Sequence, residues 1–153
     1  MLIAQDVADD SHDNGGISLI LSDRKEHCES LQRILISEHG VLADVLTGAL
    51  NNGDRADLVQ RLRAGKINVL IATGQLIGEG FDLPAIESLF LATPIKFSGR
   101  LLQYVGRALR PAPGKTKARI YDFVDANVGV FEAAATSRYW TFKKMPGVEI
   151  CKN

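Results

Sequence analysis

The chain has 153 residues, 46% of them hydrophobic and 24% charged, which is enough for one well-buried domain. Its 18 Lys plus Arg balance 18 Asp plus Glu, so no global basic field announces a polyanion binder, and any such site must be local. The two cysteines, Cys28 and Cys151, lack C-x-x-C spacing, which argues against a metal site or a disulfide framework, and no run approaches a membrane span. Met1 to Asp6 lacks a basic region followed by a long apolar run. The expectation is a reduced, cytoplasmic setting.

In chain order, residues 8 to 16 are polar, acidic and end in Gly15-Gly16, which predicts a flexible arm or interdomain linker over 1–16. Folded structure is expected from Ile17. Short apolar runs at 17–21, 42–46, 69–72, 88–92 and 119–124 read as strands. Helical patterns alternate with them. Cys28, Leu31, Ile34 and Leu35 share one side over 24–38, Leu58, Val59 and Leu62 do so over 55–63, and a further helix is expected over 98–110. This alternation predicts a parallel sheet covered on both faces, with right-handed crossovers and function at the carboxyl ends of its strands. Residues 127–142 read as a last helix, packed on the sheet or on a missing neighbour, within a helical extension and tail over 127–153.

Hydroxyls and small residues open successive connections: Ser22-Asp23-Arg24, Thr47-Gly48 and Thr73-Gly74. Short side chains let an anion reach backbone N–H groups at a helix start. Such residues are also ordinary caps and turn formers. Three in register along one sheet edge suit a nucleic-acid backbone, whose phosphates recur regardless of base. From Ala72 to Pro84, Gly74, Gly78 and Gly80 followed by Asp82 predict a sharply bent loop with a carboxylate placed for hydroxyls such as those of a ribose. A plain surface turn uses the same residues.

On a helix, Arg100, Gln103, Arg107 and Arg110 fall within roughly 80° of one another, with Leu101, Leu102, Val105 and Leu109 opposite. Paired guanidinium groups answer a phosphate chain with developing charge, and an ordinary solvated face has the same look. Gly114-Lys115-Thr116 is not a phosphate loop, because Leu109 stands where its first glycine is required; residues 111–115 read as a turn feeding the last strand. The chain therefore lacks the lysine and magnesium ligands that phosphoryl transfer needs.

Over about residues 17–125 the ordered series resembles the second RecA-like domain of superfamily 2 helicases and translocases. Ile17 to Arg24 looks like motif IV, Leu46-Thr47-Gly48 with Arg55 and Gly65 like the region before motif V, Ala72 to Pro84 like motif V, and Gln103 to Arg110 like motif VI. The resemblance implies a three-layer α/β/α, P-loop NTPase-like domain over 17–126. It implies that Arg107 and Arg110 face the ATP γ-phosphate, Arg110 as arginine finger, that Gln103 links nucleotide to motif V, and that Gly80 and Asp82 lie near the ribose. Thr47, Gly48, Thr73 and Arg24 would touch the nucleic-acid backbone. ATP and Mg²⁺ would be held mainly by an N-terminal RecA-like domain of the same polypeptide, and this half alone would be inactive. Glu79 and Gln103-Tyr104 stand where DEAD-box RNA helicases carry arginine and a His-Arg pair, so the chain looks closer to the restriction-subunit and DNA-repair branch, with DNA expected and RNA possible. Two other classes remain open: an inactive helicase-like binding module, and an unrelated nucleotide-binding α/β domain.

Overall fold

The computed structural model describes residues 2–78, 83–93, 99–109, 113–114, 117–123, 129–145 and 148–151. Its elements run α1 (Leu2–Asn14), β1 (Ser18–Ser22), α2 (Lys25–His39), β2 (Ala43–Leu46), α3 (Asn52–Arg63), β3 (Val69–Thr73), α4 (Gly74–Gly78), β4 (Ser88–Leu91), α5 (Gly99–Ala108), β5 (Ala118–Asp122), α6 (Gly129–Lys143) and β6 (Val148–Cys151). The strands form one sheet in the order β2-β3-β1-β4-β5-β6, with every pairing parallel. Runs such as Ser-Leu-Ile-Leu-Ser in β1 are buried at every position, as a sheet covered on two faces requires.

Alternate strand residues feed two separate cores. Leu19, Leu21, Leu70, Ala72, Leu89 and Leu91 pack with Leu58 and Leu62 of α3, Val105 of α5 and Phe142 of α6. On the other face Ile20, Ile71 and Phe90 meet Val7 and Ala8 of α1 and Cys28, Leu31 and Leu35 of α2. The register sets Ile71, Ile20, Phe90 and Tyr121 in one row across four strands, and the Phe90 and Tyr121 rings stack at 4.4 Å. Each such aliphatic or aromatic side chain contributes about 1.5–3 kcal/mol by leaving water. Three layers, α/β/α, follow from this alternation.

Local signals explain the helix ends. Gly40 closes α2 at φ 65°, a left-handed position that suits glycine, and its N–H reaches the Leu35 carbonyl. Asn51 caps α3 by accepting from the Asp54 N–H at 2.8 Å, so this helix starts at Asn52 instead of the expected Arg55. Gly114 turns at φ 79° ahead of β5, as the sequence leads one to expect.

Three expectations are corrected. Residues 2–14, expected within a flexible arm or interdomain linker, form helix α1, with Ala4, Val7, Ala8 and Asp10 buried. The apolar positions at i, i+3 and i+4 carried that signal beneath an acidic composition. The start of the Ala72 to Pro84 segment is not a loop, because Gly74–Gly78 is helical and lies against α5, with Ile77 fully buried. The expected tail holds a sixth strand, β6, beside β5, so β5 is not the last. The 127–142 helix is present as α6, and Phe142 joins the core beneath it, so it packs on the sheet.

Candidate functional site

The carboxyl ends of β2, β3 and β1 meet along one edge. Ser22 pairs with Thr73, and Leu46 pairs with Ala72, which brings the following Thr47 level with Thr73. Thr47 and Thr73 are half-buried and Gly48 is exposed. A Cβ added at Gly48 would meet only Leu76 Cδ2 at 3.7 Å, an ordinary contact, so packing alone does not demand glycine there. The register thus brings the strand ends that carry Ser22, Thr47 and Thr73 to one edge.

Ser22 differs from the two threonines. It is fully buried, its hydroxyl lies 3.0 Å from His27 Nδ1, and it accepts from the Arg24 N–H at 3.3 Å. The Asp23 N–H donates to Thr93 Oγ1 at 2.9 Å across the gap to the chain leaving β4. Together these bonds hold the turn after β1, so that Arg24, exposed and making no side-chain capping bond, stands at the entrance to α2. Partial burial lowers the His27 pKa, opposed by Asp23 and assisted by Arg24, while burial pushes the Cys28 thiol up to about 11. Cys28 is thus a core residue rather than a nucleophile. His27 and Thr93 were not singled out from sequence; an i+5 pairing and a link of |i−j| = 70 leave no local pattern.

Helix α5 forms as its pattern requires, but its buried face is turned slightly from the expected one. Leu101, Tyr104, Val105, Ala108 and Leu109 are buried, while Leu102 is only half-buried. Tyr104 is buried at the other margin of this face, on the side away from Leu102. Gln103 is exposed on the opposite side, and position 107 follows it by one turn. The side chain of Arg107, and Arg110, Gly80 and Asp82 altogether, lie outside the described residues. Among the described residues no group of three His, Cys, Asp or Glu side chains is arranged to hold a metal ion.

The family model of the helicase conserved C-terminal domain matches residues 2–112. The chain belongs to that family. Its all-parallel sheet layered with helices is the fold of a superfamily 2 C-terminal RecA-like domain. The helicase C-terminal domain described here is 32% identical over 117 residues to IRC3 of Saccharomyces cerevisiae, whose name places it among ATP-dependent helicases; the match covers 76% of this chain and 17% of IRC3. It is 29% identical over 102 residues to UvrABC system protein B of Xanthomonas oryzae pv. oryzae, covering 63% of this chain and 15% of that protein. The fold is also that of the yeast DEAD-box splicing factor Prp28, with a TM-score of 0.76 at 18% identity over 99% of this chain and 32% of that one. The family match begins at residue 2 and so spans α1.

Proposed function

We propose that this domain is the C-terminal half of an ATP-dependent helicase or translocase, and that it grips the backbone of a nucleic acid, DNA in preference to RNA, along the carboxyl edge of its sheet. The observation that carries the reading is the edge itself: Thr47 and Thr73 level with one another, Gly48 open to solvent, and Arg24 held at the next turn. These groups suit phosphates spaced along a strand and carry no information about bases. The preference for DNA rests on Glu79 and Tyr104, which depart from the DEAD-box pattern.

ATP and Mg²⁺ belong in this reading to a cleft shared with an N-terminal RecA-like domain of a longer polypeptide. The donor set here fits the arginine side of such a site: Gln103 is exposed on α5, and Arg107 and Arg110 follow at helical spacing. The Mg²⁺-bound nucleotide supplies the phosphoryl group and the charge neutralisation around it. In this reading Arg110, as finger, and Arg107 would stabilise charge that develops on that group, and Gly80 and Asp82 would serve the ribose. Closure of the two halves brings the arginines in, which is worth ~10³ to 10⁵ in rate, and alternating grip at Thr47, Gly48, Thr73 and Arg24 turns each cycle into movement. The domain alone is expected to be inactive.

The test uses the full-length polypeptide. Arg110→Ala should lower ATP turnover about 10³-fold or more while ATP binding stays measurable, and normal turnover would remove the finger assignment. Thr73→Ala should weaken stimulation of turnover by single strands; unchanged stimulation would remove the grip. An inactive binding module would bind strands through the same edge yet show no ATP turnover in the full-length chain.

A further inference from the structure

Helix α6 is tied down on two sides and open on a third. Arg138, only 4% exposed, forms a two-pronged pair with Asp122 at the carboxyl end of β5, its Nε donating to Oδ2 at 2.9 Å and an Nη to Oδ1 at 3.0 Å. Phe142 is buried in the core. Between these anchors Trp140, the single tryptophan of the chain, is 53% exposed. It meets Tyr139 edge-on at 5.5 Å, and Lys143 Nζ lies 5.1 Å from its ring and 5.6 Å from that of Tyr139. Lys144, the next residue, is exposed. An exposed indole on a helix that core contacts already hold is costly to leave in water, and an ammonium group within one turn gives the patch a sign.

We propose that Trp140, with Tyr139 and Lys143, forms a stacking platform for an unpaired base of a single-stranded nucleic acid, with Lys143 and Lys144 meeting the adjoining phosphates. Charge decides the occupant. Lys143 lies over both rings and Lys144, the next residue, is exposed, and a flat ring paired with a cation matches a base and its phosphate more closely than it matches an apolar protein surface. Position supports it. The Arg138 pair ties α6 to the carboxyl end of β5, on the same edge as Thr73, and three strand spacings, about 14 Å, separate β3 from β5. A rigid anchor also lowers the entropic cost of stacking, because the helix is ordered before the base arrives. The inference rests on the reading of that edge as a nucleic-acid grip and adds a contact outside the motifs that define it.

Because Trp140 is the only tryptophan, its emission reports on its own ring. The chain is titrated with fluorescein-labelled oligothymidylate, following Trp140 emission and label anisotropy together. The two signals should share one midpoint, with emission quenched. Trp140→Ala should weaken binding about 5- to 150-fold with the urea midpoint unchanged, Trp140→Phe should retain most of the affinity, and Lys143→Gln should lower the salt slope by about one. Binding by Trp140→Ala equal to the parent, with parental emission unmoved, overturns the platform and leaves the edge intact. Emission that changes with protein concentration instead of oligonucleotide assigns the patch to a second copy and also overturns it. Loss of affinity in Trp140→Ala with none in Thr73→Ala supports the platform and removes the edge grip.

Discussion

The two edges of the sheet use similar polar residues for opposite purposes. At the amino edge, Asp10 of α1 is buried and accepts from Asn14 Nδ2 at 2.8 Å, Tyr121 Oη at 3.1 Å and Ser18 Oγ at 3.3 Å, with Arg119 Nη1 at 3.8 Å. Asn68 Nδ2 adds a bond to Ser11 Oγ at 2.7 Å. Each group there points at another part of the same chain, so the network orders α1 against β1, β3 and β5. At the carboxyl edge, Thr47 and Thr73 are half-exposed and Arg24 is exposed, and only Ser22 turns inward, to hold the turn that presents Arg24. A polar group that is buried must be satisfied internally, whereas one at the surface can keep its bonding capacity for a ligand. Burial, more than residue type, separates scaffold from site.

Substitutions can break that contrast. Asp10→Ala removes an acceptor common to several donors and leaves them desolvated, so it should cost about 3 kcal/mol in urea unfolding while oligonucleotide affinity per folded molecule stays unchanged; lost affinity in the folded fraction would join the two edges. Thr73→Ala should do the reverse. It should lower single-strand affinity by about 1 kcal/mol with an unfolding midpoint close to the parent, and a large stability loss would make Thr73 scaffold. Arg24→Ala should reduce affinity equally for all sequences and lower the slope of log affinity against log salt by about one. Gly48→Ala meets no clash, so stability should change by less than about 0.5 kcal/mol; weaker oligonucleotide binding in that variant would show a phosphate passing close to the backbone.

The smallest effect expected is a pH response. The folded-state pKa of His27 is depressed, chiefly by burial. The unfolded chain therefore binds more protons near that pKa, and stability is full above the ordinary histidine value of 6.5 and declines as pH falls through the lower folded value. Urea midpoints measured from pH 7 downward should fall in the parent and fall less in His27→Gln. Identical slopes in the two proteins would detach His27 from the turn after β1.

Much of this was readable from local pattern. Continuous apolar runs between amphipathic helices specify a parallel sheet covered on both faces, and the spacing of Leu101, Val105 and Leu109 sets the buried face of α5 before any contact is known. The same residues, Gln103 with Arg107 and Arg110, carried the resemblance that the family match bears out. The acidic composition of 8–16 hid α1, since what orders that helix is the burial of Ala4, Val7 and Ala8 against a face formed by α2 and strands far away in sequence. The strand β6 was hidden for a related reason: four residues carry too little periodicity, and their place is set by pairing with β5. Likewise, nothing local distinguishes Ser22 from Thr47 or Thr73. Only the register of β1 against β3, and the reach of His27 from the next helix, turn the first inward and leave the others at the surface.

The sequence by itself determined the α/β class, the helix faces and the positions where hydroxyls, glycine and arginine could meet phosphate, because those depend on the periods of helix and strand. The tertiary structure decided which of those groups are buried, that α1 and β6 complete the sheet's layers, and that Trp140 stands outside the core with a lysine over its ring. Such outcomes depend on contacts between distant segments, whose cost in chain entropy is met only when the whole core assembles.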